Sequence, residues 1–245
     1  MRIKISFLRE HASANSIPLH HQKLLTDSLG VLMDEISGDR TLFNFSSLKG
    51  TSKIQNGFMR FLSSKITLVI SSRNQEFAET LVKRIFDNPH LAVGKMHLIP
   101  KTYEVIPDPS FQTKMRYLCI SPMIIHHPEK EADKAQEMVD PTSQQFSDIL
   151  YNITLDRMER AGYPESMMND FAEFEAQPDM EYINKINESG KKYARFYKSA
   201  SGSPMMGYLL PFTLHAHPEV HKFIWECGIG HLTEEGYGMI DMVKA

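Results

Sequence analysis

An α+β fold built twice over is what this 245-residue sequence predicts, on three observations. Apolar residues alternate with period two in several short stretches. They recur at helical spacing in others. The two patterns follow one another in similar order in each half of the chain: strand, helix, strand, strand, helix, strand, then strand, helix, hairpin, helix, strand. That order is the split β-α-β arrangement, so the prediction is two tandem ferredoxin-like (RRM-like) domains.

In the first half, Ile3, Ile5 and Phe7 face one way and Arg2, Lys4 and Ser6 the other, as in a half-buried strand. A helix follows, opened by Pro18 and carried by Leu24, Leu25, Leu29, Leu32, Met33 and Ile36, with Gly38 closing it. TLFNFSSL (41–48) and KITLVISS (65–72) read as strands. Ser72 and Gln75 form a capping box ahead of a helix lined by Phe77, Leu81, Ile85 and Phe86, which Pro89 stops. LAVGKMHLIPKTYEVIP is extended, and PDPS (107–110) marks a boundary between domains 1–108 and 109–245.

The second half opens with a strand, KMRYLCISPMII, and continues through a polar stretch (126–143) read as a loop or poor helix. QQFSDILYNITLDRMERAG is an amphipathic helix. Residues 163–190 are polar and read as an insertion with one short helix. KKYARFYK and MMGYLLPFTLHA form a hairpin around SASGSP, and PEVHKFIWEC is a helix started by Pro218. A glycine-rich loop and a last strand, GMIDMV, end the pattern.

Composition narrows function. A net charge of −3 gives no bulk attraction for nucleic acid, so any basic surface is local. Two cysteines make no disulfide framework. The opening MRIKISFLRE is too polar for a signal peptide and no run reaches 18 apolar residues, so the expectation is a soluble cytoplasmic protein without a membrane segment.

The loop CGIGHLTEEGYG (227–238) is open to two readings. Gly228, Gly230, Gly236 and Gly238 either let backbone amides approach an anion or serve a tight helix-to-strand connection with positive φ. It is no dinucleotide fingerprint, because the required strand-then-helix order is reversed.

Placed before the last strand of a second ferredoxin-like domain, that loop resembles the corresponding feature of the CRISPR-associated repeat-processing endoribonucleases, the Cas6 family of the repeat-RNA-binding superfamily. IPLHHQKLL, FNFSSL, the ISS before a helix, and YLCISPMII resemble that family in the same order. The resemblance implies metal-independent cleavage of CRISPR precursor RNA within its repeat, by 2′-OH attack, leaving a 2′,3′-cyclic phosphate and a 5′-OH. No cofactor is implied. The implied partners are CRISPR repeat RNA and other CRISPR effector subunits, with the chain a monomer or a homodimer.

Such chemistry needs a base, an acid and a cation for the phosphorane charge. Many family members carry a histidine after the first helix, where this chain reads VLMDEISGDRTLFNFSSL without one. The catalytic candidates are therefore His20 and His21, then His11, with Arg40 as the cation. Loop glycines 228, 230, 236 and 238 with His231, together with Lys49, Lys53, Lys192 and Arg195, are the candidate RNA contacts. Glu234 and Glu235 make the loop acidic, against close phosphate contact.

Two other readings stand beside this one. In the first, the chain is a catalytically silent CRISPR RNA-binding relative. Alternatively His215, His217, His221, Cys227 and His231 would serve a metal-assisted hydrolase, with His217 and His221 at ligand spacing but no H-E-x-x-H motif.

Overall fold

The computed structural model describes residues 1–34, 36–126, 138–198 and 204–243. The chain divides into two compact units, Met1–Asp108 with Glu234–Gly236, and Pro109–Thr233 with Tyr237–Ala245.

The first unit runs β1 (Arg2–Arg9), β2 (Ser16–Pro18), α1 (Gln22–Met33), β3 (Phe43–Phe45), β4 (Ser52–Gln55), β5 (Phe58–Phe61), β6 (Lys65–Ser72), α2 (Gln75–Asp87), β7 (Leu91–Val93) and β8 (Met96–Ile106). Its main sheet has the order β3-β6-β1-β8-β7, all pairs antiparallel. Ile3, Ile5 and Phe7 are buried with Leu25, Leu29, Phe77, Leu81 and Ile85 in one core. The alternation of β1 thus turns its apolar side to α1 and α2, as a sheet covered on one face by helices requires.

Three local readings are corrected here. Pro18 ends β2 instead of opening a helix, and α1 starts only at Gln22. The helix stops at Met33, ahead of Gly38. The cap of α2 is Asn74, whose side chain accepts from the Phe77 N–H, while the Ser72 hydroxyl accepts from the Asn74 N–H. Between β3 and β6 the chain also makes a hairpin. β4 and β5 turn at Asn56 and Gly57, with φ of 50° and 76°, the geometry of a two-residue type I′ turn. β2 joins β5 to complete a small β2-β5-β4 sheet.

The second unit runs β9 (Lys114–Cys119), β10 (Met123–Ile124), α3 (Phe146–Arg160), α4 (Glu165–Met168), β11 (Phe174–Pro178), α5 (Met180–Glu188), β12 (Ala194–Lys198), β13 (Pro204–Tyr208), β14 (Pro211–Ala216), α6 (Pro218–Cys227) and β15 (Ile240–Met242). Its sheet order, β11-β14-β9-β15, matches that of the first unit once β9 is aligned with β1 and β15 with β8. Both units are ferredoxin-like, and the chain is a tandem α+β protein.

β11 lies inside the stretch read as an insertion. It is this domain's second strand, paired along its length with β14. The expected hairpin also divides. β12 pairs with β13 in a side sheet, whereas β14 enters the main sheet. Most of the polar stretch 126–143, and the turn residues 199–203, lie outside the described residues. No described helix is long and apolar enough to cross a membrane.

Candidate nucleic-acid interface

The turn from β2 into α1 places His20 and His21 differently. His20 is exposed. His21 is only 2% exposed, and both of its ring nitrogens are occupied. Nε2 accepts the Leu48 N–H at 3.0 Å. That assigns the proton to Nδ1, which points at the carbonyls of Pro18 (3.3 Å) and Leu19 (3.2 Å). Burial pushes its pKa down to about 4, so the ring is neutral at pH 7. His21 therefore works as a bracket. It ties the end of β2 to the segment after β3 and leaves His20 outside, just before the helix. Next to it, the buried Gln22 amide donates to the Ser47 hydroxyl.

Within the same unit the Thr26 hydroxyl donates to the Glu235 carbonyl at 3.1 Å, and a Cβ on Gly236 would lie 2.2 Å from the Phe45 ring. Gly236 thus closes on an aromatic side chain, a requirement of packing.

Arg40 lies elsewhere. Its guanidinium donates to the Met33 carbonyl at 2.8 Å and pairs with Asp34 at 3.3 Å, so it caps the C-terminus of α1. With 12 residues in that helix, rising about 1.5 Å each, Arg40 stands roughly 18 Å from His20. The structure does not bring the two together, because Arg40 serves the helix end opposite the histidines. His11 is exposed in the turn after β1. Lys49 and Lys53 are exposed on and beside the β4–β5 hairpin.

In the second unit the glycine loop is turned inward. Gly228, Gly230 and Gly238, like Gly236 of the first unit, have positive φ, between 68° and 83°. A Cβ on Gly230 would lie 2.5 Å from the Ile124 carbonyl oxygen, and one on Gly238 1.8 Å from that of Ile229. The amides of Gly228, His231 and Gly238 donate to the carbonyls of Ile224, Ile124 and Pro122. These donors are already spent on the fold.

The loop's organiser is Arg157 on α3, a residue the sequence reading missed. Its guanidinium donates to the carbonyls of Cys227 (2.7 Å) and Gly228 (2.8 Å) and to the Thr233 hydroxyl (2.8 Å), with Phe223 stacked 5.3 Å away. The open carbonyls at the end of α6 are the reason a cation suits that place.

His231 Nδ1 accepts from the His126 N–H at 3.3 Å. Burial first, then His126 and Arg157, push its pKa down to about 4, so it brings no positive charge at pH 7. Lys192 is exposed ahead of β12, and Arg195 is partly buried within it, opposite Gly207. Tyr197 is buried and Phe196 is 68% exposed.

The histidines weighed as metal ligands have separate duties. His217 caps α6 by accepting the Glu219 N–H at 3.2 Å. His221 accepts from the Tyr117 hydroxyl at 2.9 Å and donates to the Thr113 carbonyl. Among the described residues no group of three or more His, Cys, Asp or Glu side chains could hold a metal ion.

Two ferredoxin-like units, the second carrying a glycine-rich loop before its last strand, define a tandem ferredoxin-like α+β protein. Residues 105–242 match the family model "CRISPR associated protein Cas6, C-terminal", and the chain belongs to the Cas6 family. It is similar to a CRISPR-associated endoribonuclease-like protein Cas6 of Pyrococcus furiosus, with 25% identity over 76% of this chain and 71% of the relative. A solved structure described as that of a Cas6-related gene from Pyrococcus furiosus superposes with a TM-score of 0.83 at 21% identity, covering 100% of this chain and 98% of that one. Another, described as an RAMP protein binding different RNA substrates, gives 0.80 at 18% identity, with both chains fully covered. At these identities the two structural likenesses carry the fold.

Proposed function

We propose that the chain binds CRISPR repeat RNA and cleaves it without a metal ion, with His20 carrying the proton transfer. In this reaction a 2′-oxygen attacks the adjacent phosphorus and its proton leaves to a base. The bond from phosphorus to the 5′-oxygen breaks and that oxygen takes a proton, leaving a 2′,3′-cyclic phosphate and a 5′-OH.

The observation that carries the proposal is the division of labour between the paired histidines. His21 is neutral with both nitrogens engaged, while His20 is exposed at the helix start that His21 fixes. With only one imidazole accessible at this turn, water takes the other proton-transfer role. Lys49 and Lys53 are the cations of this unit assigned to phosphate; Arg40 is left out because it caps the far end of α1. Family membership and the RNA binding named for a structural neighbour support the substrate class.

A silent RNA-binding role is the second reading, favoured by the reduction of the catalytic set to one histidine. Incubation with cognate repeat RNA in EDTA separates the two. The cleavage reading expects product with a cyclic phosphate end, and none from a substrate with a 2′-deoxy sugar at the scission site. Tight binding with no product would establish the silent reading instead.

A further inference from the structure

We infer that the solvent face of the β2-β5-β4 sheet is a platform for single-stranded RNA, on which Phe58 stacks an unpaired base between phosphates held by Lys53 and Arg60. The inference rests on the proposed function and specifies the form of RNA that the His20 end of the first unit takes.

The register places the side chains. Along β5, Met59 and Phe61 turn toward the core, Phe61 being 2% exposed, so Phe58 and Arg60 face out. Phe58 lies between Pro18 on β2 and Gln55 on β4, and Arg60 between Ser16 and Lys53. One row of the face is thus an apolar pair of rings, Pro18 and Phe58, and the next holds two cations. The rows are about 7 Å apart, as residues two apart on a strand are, a step that one extended nucleotide bridges.

The first row offers an exposed ring, and the second is anomalous for a bare protein surface. Phe58 is 50% exposed; on the opposite side of the small sheet Ile17 and Phe61 are buried, while Ile54 is 57% exposed. Lys53 and Arg60 are directly opposite one another, a like-charge pairing that costs stability unless an anion lies between them. Among the described residues neither makes an ion pair with a carboxylate. The sequence explains why none is near. Residues 40–75 contain six basic side chains (Arg40, Lys49, Lys53, Arg60, Lys65, Arg73) and no acidic one, in a chain of net charge −3.

A positive face with an exposed ring is the composition that binds single strands, since bases are free to stack only when unpaired. The platform is held stiffly. Asn56 and Gly57 close the hairpin, and the Gly57 carbonyl accepts the Leu19 N–H at 2.8 Å, which ties the hairpin tip to the residue before His20.

The test measures binding of the full chain to single-stranded cognate repeat RNA and to the same RNA annealed to its complement, across a salt series. Phe58→Ala should weaken single-strand binding about tenfold, leave duplex binding unchanged, and be rescued by Phe58→Trp. Lys53→Ala and Arg60→Ala should each flatten the slope of log K against log salt by about 0.7. The platform is overturned if Phe58→Ala binds single strands like wild type, or if Phe58→Trp is as weak as Phe58→Ala. Unaltered slopes in both cation variants would overturn it as well. If wild type binds and cleaves while these variants do not differ from it, the platform alone falls. If wild type binds no repeat RNA, the proposed function falls with it.

Discussion

Lowering the pH from 7 toward 4 should destabilise this protein through His21, by an amount that its surroundings set. The ring is buried and neutral in the folded state, with a pKa of about 4 against 6.5 in an exposed histidine. Between those values the unfolded chain binds a proton that the folded chain refuses. Stability from this group is therefore complete above pH 6.5 and drains away as the pH falls to 4. At about 1.4 kcal/mol for each pH unit of that gap, the loss is on the order of 3 kcal/mol. His231, held low in the same way, adds a similar term, and carboxylates titrate at the acid end, so a difference measurement is needed. His21→Gln keeps an acceptor for the Leu48 N–H and cannot titrate. Urea unfolding of both proteins at pH 7 and pH 4.5 should show wild type losing roughly 2 kcal/mol more than the variant. Parallel pH profiles would mean that His21 titrates normally, and the bracket described for it would be wrong.

Arg157→Ala should cost about 3 kcal/mol in chemical denaturation, because it strands the carbonyls of Cys227 and Gly228; Arg157→Lys should recover little, since an ammonium lacks the planar fork. Gly238→Ala should cost at least about 3 kcal/mol, with its new Cβ set against the Ile229 carbonyl, whereas Gly57→Ala, with open space around it, should cost only about 1–2 kcal/mol for the left-handed backbone. The Cys119 thiol, pushed up to about 12 by burial, should resist a thiol reagent at pH 8 until the protein is unfolded in urea; rapid labelling of the native chain at that cysteine would contradict its burial.

The fold class was legible because it is written in periodicity. Ile3, Ile5 and Phe7 on β1, the run Lys65–Ser72 and the faces of α2 and α3 each carry a pattern that local chemistry decodes. β11 was not legible. Its sequence FEAQP buries only Ala176, and what makes it a strand is the pairing offered by β14. The β4–β5 hairpin does carry a local signal, since Asn56-Gly57 is a strong mark of a two-residue turn.

At the candidate site the glycines were readable as positions of positive φ, but not what presses on them, such as Phe45 on Gly236. His20 and His21 look alike in sequence. Only the Leu48 amide, 27 residues from His21, separates the bracket from the exposed ring. Arg157 meets the loop across about seventy residues, a contact no local pattern announces.

The central claim is that His20 moves a proton while His21 only holds it in place. Single-turnover cleavage of cognate repeat RNA in EDTA, with wild type, His20→Ala and His21→Gln at saturating protein, tests it most directly. The account expects His20→Ala to lose cleavage by at least about a hundredfold while binding RNA normally, and His21→Gln to keep most of the rate. Undiminished cleavage by His20→Ala would contradict it.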